Sequence, residues 1–170
     1  TVTAPAEAKE PEFTFYFVSH IGPADPNYYW LKKAIEDIQA ILPVRVIYVA
    51  PEVFSVEKQV ELLEKAIAAK PDGLIVPITS PEALDEPLRR AIDMGIPVIA
   101  ANIPDPRPKE QRIPYLLYVG GDEYLTGYMV NKRSFELIGP ENIKKSVTFV
   151  IERGHVGQEL RAKGHEDASK

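Results

Sequence analysis

From Pro71 to Asn102 the chain reads PDGLIVPITSPEALDEPLRRAIDMGIPVIAAN, and few architectures are open to such a stretch. The apolar run from Gly73 to Pro77 predicts a strand. The segment after Ser80 predicts a helix that closes at Gly95, and Pro97 to Ala101 predicts a second strand stopping on Asn102. Neither run alternates with polar residues, which is the pattern of strands buried on both faces of a parallel sheet. The fold class is therefore α/β, with a parallel sheet flanked by helices. Ligands of such sheets bind just beyond the carboxyl ends of the strands, so Asn102 stands at a binding address.

The same alternation runs through the rest of the chain. Phe13 to Ser19 is aromatic and β-branched, predicting a strand that ends at His20. Apolar Leu31, Ala34, Ile35, Ile38, Ile41 and Leu42 recur at helical spacing between Tyr28 and Leu42. Val44 to Val49 predicts the second strand, and Ser55 is the N-cap of a helix reaching Ala69 with Val56, Val60, Leu63 and Ile67 inward. A proline-rich excursion, IPDPRPKEQRIP, leads to a short strand over Leu116 to Val119, broken at Gly120-Gly121-Asp122. A helix over Glu123 to Ile138, a sixth strand over Val147 to Ile151 and a final helix from Val156 complete the pattern. Residues 1 to 12 lack periodicity and read as a flexible arm, either the leader of a mature exported protein or merely a chain end.

Composition removes whole classes of function. The 170 residues contain no cysteine, so disulfides, thiolate catalysis and cysteine-ligated metals are out. Net charge is −5 with the basic residues scattered, which argues against nucleic acid as a partner. No run approaches the roughly 18 apolar residues of a membrane span. No GxSxG elbow, Walker loop or GxGxxG turn follows any strand, so a nucleotide enzyme is disfavoured.

Few residues remain that could read a ligand. His20 and His155 both follow strands at carboxyl ends, whereas His165 sits within the last helix. His20 is either a hydrogen-bond donor to a ligand or a loop-packing residue. The three histidines show no HExxH pattern and no other metal-ligand spacing with a carboxylate, so no metal or cofactor is expected. Tyr28-Tyr29-Trp30 opens a helix at the carboxyl edge, where flat rings can stack on the C–H faces of a sugar. By helical phase with Ile38 and Leu42, Trp30 is assigned to the core and Tyr28 to the ligand.

Several segments stand in a telling order. Asp25-Pro26-Asn27-Tyr28 precedes LKKAIEDI, and a glutamine lies in the second helix within VEKQVELLEKAIAAKPDGLIV. GIPVIAAN follows, then VGGDEYLTG at residues 119 to 127, then SVTFVIERGHVGQELRAKG with an RxxG turn from Arg161 to Gly164. In order and spacing these resemble the type I periplasmic sugar-binding proteins, the ribose-binding-like receptors of bacterial ABC importers. The resemblance covers about residues 13 to 170 and corresponds to the first half of such a receptor.

The resemblance implies a periplasmic-binding-protein-like I fold of two Rossmann-like lobes: a complete lobe over 13 to 118 and an incomplete one over 119 to 170, hinged at Gly120, Gly121 and Asp122. It implies that Tyr28 stacks on the sugar and that Asn27 replaces a second aromatic. Asn102 falls where Asp is common, and Ile103 replaces a frequent Arg, leaving Asp105 to compensate. His155 falls in the loop of the second lobe that lines the cleft. The arginine usual early in the last helix is missing, with Gln158 or Glu159 near its place. The implied function is a solute-binding component that takes a sugar or polyol, performs no catalysis and serves an ABC permease. Its implied location is the periplasm or the cell exterior, free or lipid-anchored. Two alternatives share the fold class: the effector domain of a LacI-like regulator, which needs a DNA-binding segment, and an α/β sugar-processing enzyme, which needs a nucleophile-base pair.

Overall fold

The two apolar runs of the Pro71–Asn102 unit become β3 (Gly73–Val76) and β4 (Val98–Asn102) in the computed structural model, paired in parallel with Leu74 opposite Val98 and Val76 opposite Ala100. The structure describes residues 10–170, so most of the expected N-terminal arm lies outside the described residues. Between the two strands α3 (Pro81–Asp93) packs on α2 (Val56–Ala68), and their inward Leu63, Leu84 and Leu88 are fully buried against Leu74, Val76 and Val98. Burying a leucine contributes roughly 1.5–3 kcal/mol, so these contacts hold the two helices on the sheet. Ser55 caps α2 as expected, its hydroxyl accepting the Lys58 N–H at 3.2 Å.

β1 (Phe13–Val18) lies between β2 (Val44–Val49) and β3, and β5 (Leu117–Gly120) closes the far edge. All pairings are parallel and the order is β2-β1-β3-β4-β5. The chain therefore moves one way from β1 to β2 and the other way from β2 onward. With right-handed crossovers that reversal puts α1 (Asn27–Ile41) on the face opposite α2 and α3. It also opens a crevice at the carboxyl ends of β1 and β3.

α1 departs from its expected burial. None of its residues is fully buried: Leu31 and Ile35 are half-covered, and Ile41 and Leu42 stay exposed. The helix meets the sheet mainly at β2, the edge strand, which leaves the outer part of its apolar stripe uncovered. Trp30, assigned above to the core, is 68% exposed. The sixth strand is also absent: residues 147 to 151 join no ladder, and Phe149 and Ile151 are 83% and 84% exposed. An apolar run forms a strand only beside a neighbour that accepts its N–H and C=O groups, and the described residues supply none.

α4 (Glu123–Ile138) and α5 (Val156–Ala168) form a close helix pair. Gly127 faces the Arg161 carbonyl, and Gly164 faces the Tyr124 carbonyl, each so near that a Cβ would sit about 2 Å from the oxygen. Buried Asn131 ties the pair, donating to the His165 carbonyl and the Ser169 hydroxyl at 2.7 Å each. The RxxG segment is thus mid-helix rather than a turn, and its glycine serves close backbone approach.

The excursion after β4 is built rather than loose. Asp105, 1% exposed, accepts the N–H groups of Arg107 and Ile113 at 3.0 and 2.9 Å and the Arg107 guanidinium at 2.7 Å. The same guanidinium reaches Asp85 on α3 at 2.5 Å. Asp105 is fully engaged in shaping this loop and does not enter the crevice, which corrects its expected ligand role.

Candidate functional site

The crevice at the strand ends is a cleft of about 690 Å³. Its floor is Ser19 and His20 after β1, Pro77 after β3, and Asn102 at the end of β4. One wall comes from the loop before α1 and its first turn: Asp25, Asn27, Trp30 and Leu31. The other wall comes from the α4–α5 pair: Glu123, Thr126, Glu152, His155, Gln158 and Arg161.

Local chemistry positions each part. Asn102 has φ 65°, a left-handed conformation that asparagine tolerates better than most residues. Its carbonyl accepts the Tyr118 hydroxyl at 2.6 Å, and the residue lines the cleft. Asp25 accepts both the Asn27 N–H at 2.7 Å and the Asn27 side-chain amide at 3.0 Å, fixing the entry to α1. Asn27 and Trp30 are three apart on that helix and share a face. Beneath them buried Gln59, the helix-two glutamine, donates to the Pro77 carbonyl at 3.0 Å and meets the Thr79 hydroxyl at 2.5 Å, locking the turn after β3.

The α5 N-terminus docks on that turn. Val156 N–H, one of the amides a helix leaves unpaired, donates to the Thr79 carbonyl at 2.9 Å. His155 is the N-cap, with Nδ1 accepting the Gln158 N–H at 3.3 Å. Its ring, 1% exposed, packs on Phe54 and stands 4.8 Å from the His20 ring, centroid to centroid. Burial pushes both imidazoles down to about 4, and the neighbouring His155 adds to the shift at His20. Both rings are therefore neutral near pH 7.

Arg161, the one guanidinium among the described residues lining the cleft, pairs with Glu123, while Asp25 and Glu152 add two further carboxyl groups. Arg161 Nε lies 2.6 Å from Glu123 Oε2 across the helix pair, and burial pushes the Glu123 carboxyl up while Arg161 opposes it. Gln158 Oε1 accepts the N–H groups of Ile151 and Glu152 at 3.0 and 3.2 Å, bracing the loop that carries Glu152. A flat exposed indole beside amide, carboxylate and guanidinium groups suits a ring with an apolar face and hydroxyl edges.

Of the residues selected from sequence, His20, Asn27, Asn102 and His155 line this cleft. Tyr28 does not: its ring turns onto Tyr48, 5.7 Å between centroids. Gly120 ends β5, Gly121 follows it, and Asp122 caps α4 by accepting the Leu125 N–H at 2.8 Å. Asp25, Trp30, Glu123, Glu152 and Arg161 were not selected as ligand residues, and Gln158 stood only as a residue near the place of an arginine. The one-turn spacing of His155, Gln158 and Arg161 was the available signal. The last helix does bring an arginine to the cleft, Arg161 in its second turn. The structure also gathers His20, Glu152 and His155, whose ligand-type atoms lie within 4.8 Å of one another. Sequence spacing concealed this group because His20 comes from the distant end of β1.

Residues 18–170 match the family model described as a periplasmic binding protein domain. The xylose/arabinose-binding protein XylF of Sulfolobus acidocaldarius is 28% identical over 135 residues, 76% of this chain and 33% of that protein. A periplasmic sugar-binding protein of an ABC sugar transporter from Legionella pneumophila superposes with TM-score 0.83 at 31% identity, covering 92% of this chain and 56% of that one. A carbohydrate transporter from Acidothermus cellulolyticus, solved with myo-inositol, gives TM-score 0.82 at 28% identity over 94% of this chain and 53% of the other. The chain thus spans between a third and a little over half the length of these relatives.

Proposed function

The chain belongs to the periplasmic binding protein family, and from that premise we propose that it is part of a solute receptor for a neutral sugar or polyol. The observation that carries this reading is the cleft itself. An exposed indole and two asparagines face Arg161, Gln158 and Glu123 across the switch point of a parallel sheet. The relatives named as xylose/arabinose-binding and solved with myo-inositol support the same ligand class. No catalytic step is assigned to the site. The receptor would act in the periplasm or outside the cell and hand its solute to an ABC permease. No helix among the described residues is long and apolar enough to cross a membrane.

In this reading the sheet through β5 is one lobe, α4 and α5 open a second, and Gly120-Gly121-Asp122 is the hinge between them. Closure about that hinge would bring Arg161 and Gln158 toward a solute resting on Trp30. A thermal-shift screen against xylose, arabinose, glucose, galactose and myo-inositol tests it, since a solute that binds only the folded chain raises Tm. At least one is expected to do so. Asn102→Ala is expected to weaken that solute about tenfold, the loss of roughly one hydrogen bond, and to lower the unliganded Tm by a few degrees because alanine tolerates the left-handed φ 65° less well. Unchanged affinity would remove Asn102 from the site.

A further inference from the structure

We propose that His20, Glu152 and His155 form a binding site for a zinc-like divalent cation that pins the start of α5 to the end of β1. The proposal stands apart from the solute reading, since it needs no solute in the cleft. Three observations carry it. The ligand-type atoms of the trio lie within 4.8 Å of one another, with His155 Nε2 and Glu152 Oε2 3.8 Å apart. Tetrahedral zinc with bonds of about 2.0–2.1 Å sets its ligand atoms roughly 3.3 Å apart, so side-chain rotations closing at most about 1.5 Å suffice.

Each ring also has a nitrogen to give. His155 already uses Nδ1 to accept the Gln158 N–H, which orients Nε2 toward Glu152. His20 is 7% exposed, and its Nδ1 is the only buried side-chain polar atom without a hydrogen-bond partner among the described residues. A buried nitrogen left without a partner costs about 1–3 kcal/mol unless something meets it, and a metal bond would do so.

The second shell fits as well. Gln158 Nε2 donates to Glu152 Oε2 at 2.5 Å and so steers the carboxylate, as outer-shell partners of metal ligands do. Binding through His155 Nε2 requires that ring's proton to move to Nδ1, giving up the 3.3 Å contact with the Gln158 N–H, which keeps the His155 carbonyl as its acceptor at 3.0 Å. Two nitrogens and one oxygen select zinc or cobalt over magnesium or calcium, leaving a fourth position for water. Because His20 comes from the sheet while the other two come from the approach to α5, a bound ion would cross-link the floor of the cleft to its α4–α5 wall.

The test is a thermal-shift titration of the tag-free, chelator-stripped chain with zinc chloride, beside cobalt(II) absorption spectra. Zinc at a hundredfold excess over its Kd is expected to raise Tm by about 5–10 °C, while magnesium and calcium leave it unchanged. Cobalt should give the intense visible bands of a four-coordinate site. Glu152→Gln, which keeps the Gln158 contact, and His155→Asn, which keeps an N-cap, should each abolish both signals relative to their own metal-free Tm. No zinc shift in the parent chain, or a shift and cobalt bands retained in both variants, would overturn the proposal.

Discussion

Gly164→Ala is expected to lower stability by more than 2 kcal/mol, although the same change at an open helical site raises it by roughly 0.5–1 kcal/mol. The sign reverses because the new methyl would lie 2.1 Å from the Tyr124 carbonyl oxygen and 2.8 Å from the Tyr128 nitrogen. Both are backbone atoms of α4 and cannot swing aside, so the helices must separate, and overpacking of this kind costs about 1–3 kcal/mol before propensity is counted. Separation would also draw His155 off Phe54 and Val156 off the Thr79 carbonyl, opening one wall of the cleft. Thermal denaturation followed by circular dichroism reads the effect. Gly121→Ala, whose Cβ would meet nothing within 4 Å, is the control expected to leave Tm in place. Equal Tm values for the two variants would show that α4 and α5 do not cross at these glycines.

Acid is expected to unseat the same wall. In chelator-treated buffer, lowering the pH from 6.5 to 4 should remove on the order of 3 kcal/mol for each buried imidazole taken alone. Both rings have folded-state values near 4, depressed by burial from the ordinary 6.5. The unfolded chain therefore takes up protons first as pH falls, so stability is whole above pH 6.5 and drains between 6.5 and 4. Around His20, His155 and Arg161 oppose protonation while Asp25 favours it; around His155, Arg161 opposes it too. Asp85, held below the usual carboxylate range chiefly by Arg89, loses its contribution only at lower pH, outside this window. Urea denaturation across the range should show His20→Gln and His155→Asn each with a slope about 1.4 kcal/mol per pH unit shallower than the parent. Parallel slopes would mean the rings titrate freely.

Much of this architecture was legible because it is local. Apolar runs without polar alternation at Gly73 and Pro97, the Ser55 cap and the helical spacing of Leu63 and Ile67 each specify their element through short-range physics. The carboxyl-end rule pointed to His20 and Asn102, whereas His155 reaches the cleft as the N-cap of α5 and not from the end of a strand. The failures share a different cause. Trp30 was sent to the core by phase, yet α1 rests on an edge strand and leaves that phase uncovered. Residues 147 to 151 have the composition of a strand but no neighbouring strand among the described residues. Asp105 lies in the expected loop, yet its oxygens are taken by Arg107 and Ile113, a competition no motif reveals. Arg161 and the meeting of His20 with Glu152 depend on how α5 docks, a contact between segments more than 130 residues apart.

Trp30 offers the most direct test of the central claim, that this cleft holds a neutral sugar or polyol. It is the single tryptophan of the chain and lies exposed in the cleft wall, so its emission reports on that site alone. Titration with xylose, arabinose, glucose, galactose and myo-inositol should give a saturable change in emission for at least one, with a Kd raised about tenfold by Asn102→Ala. Emission unmoved by every member of the panel, in a chain that circular dichroism shows to be folded, would contradict the account.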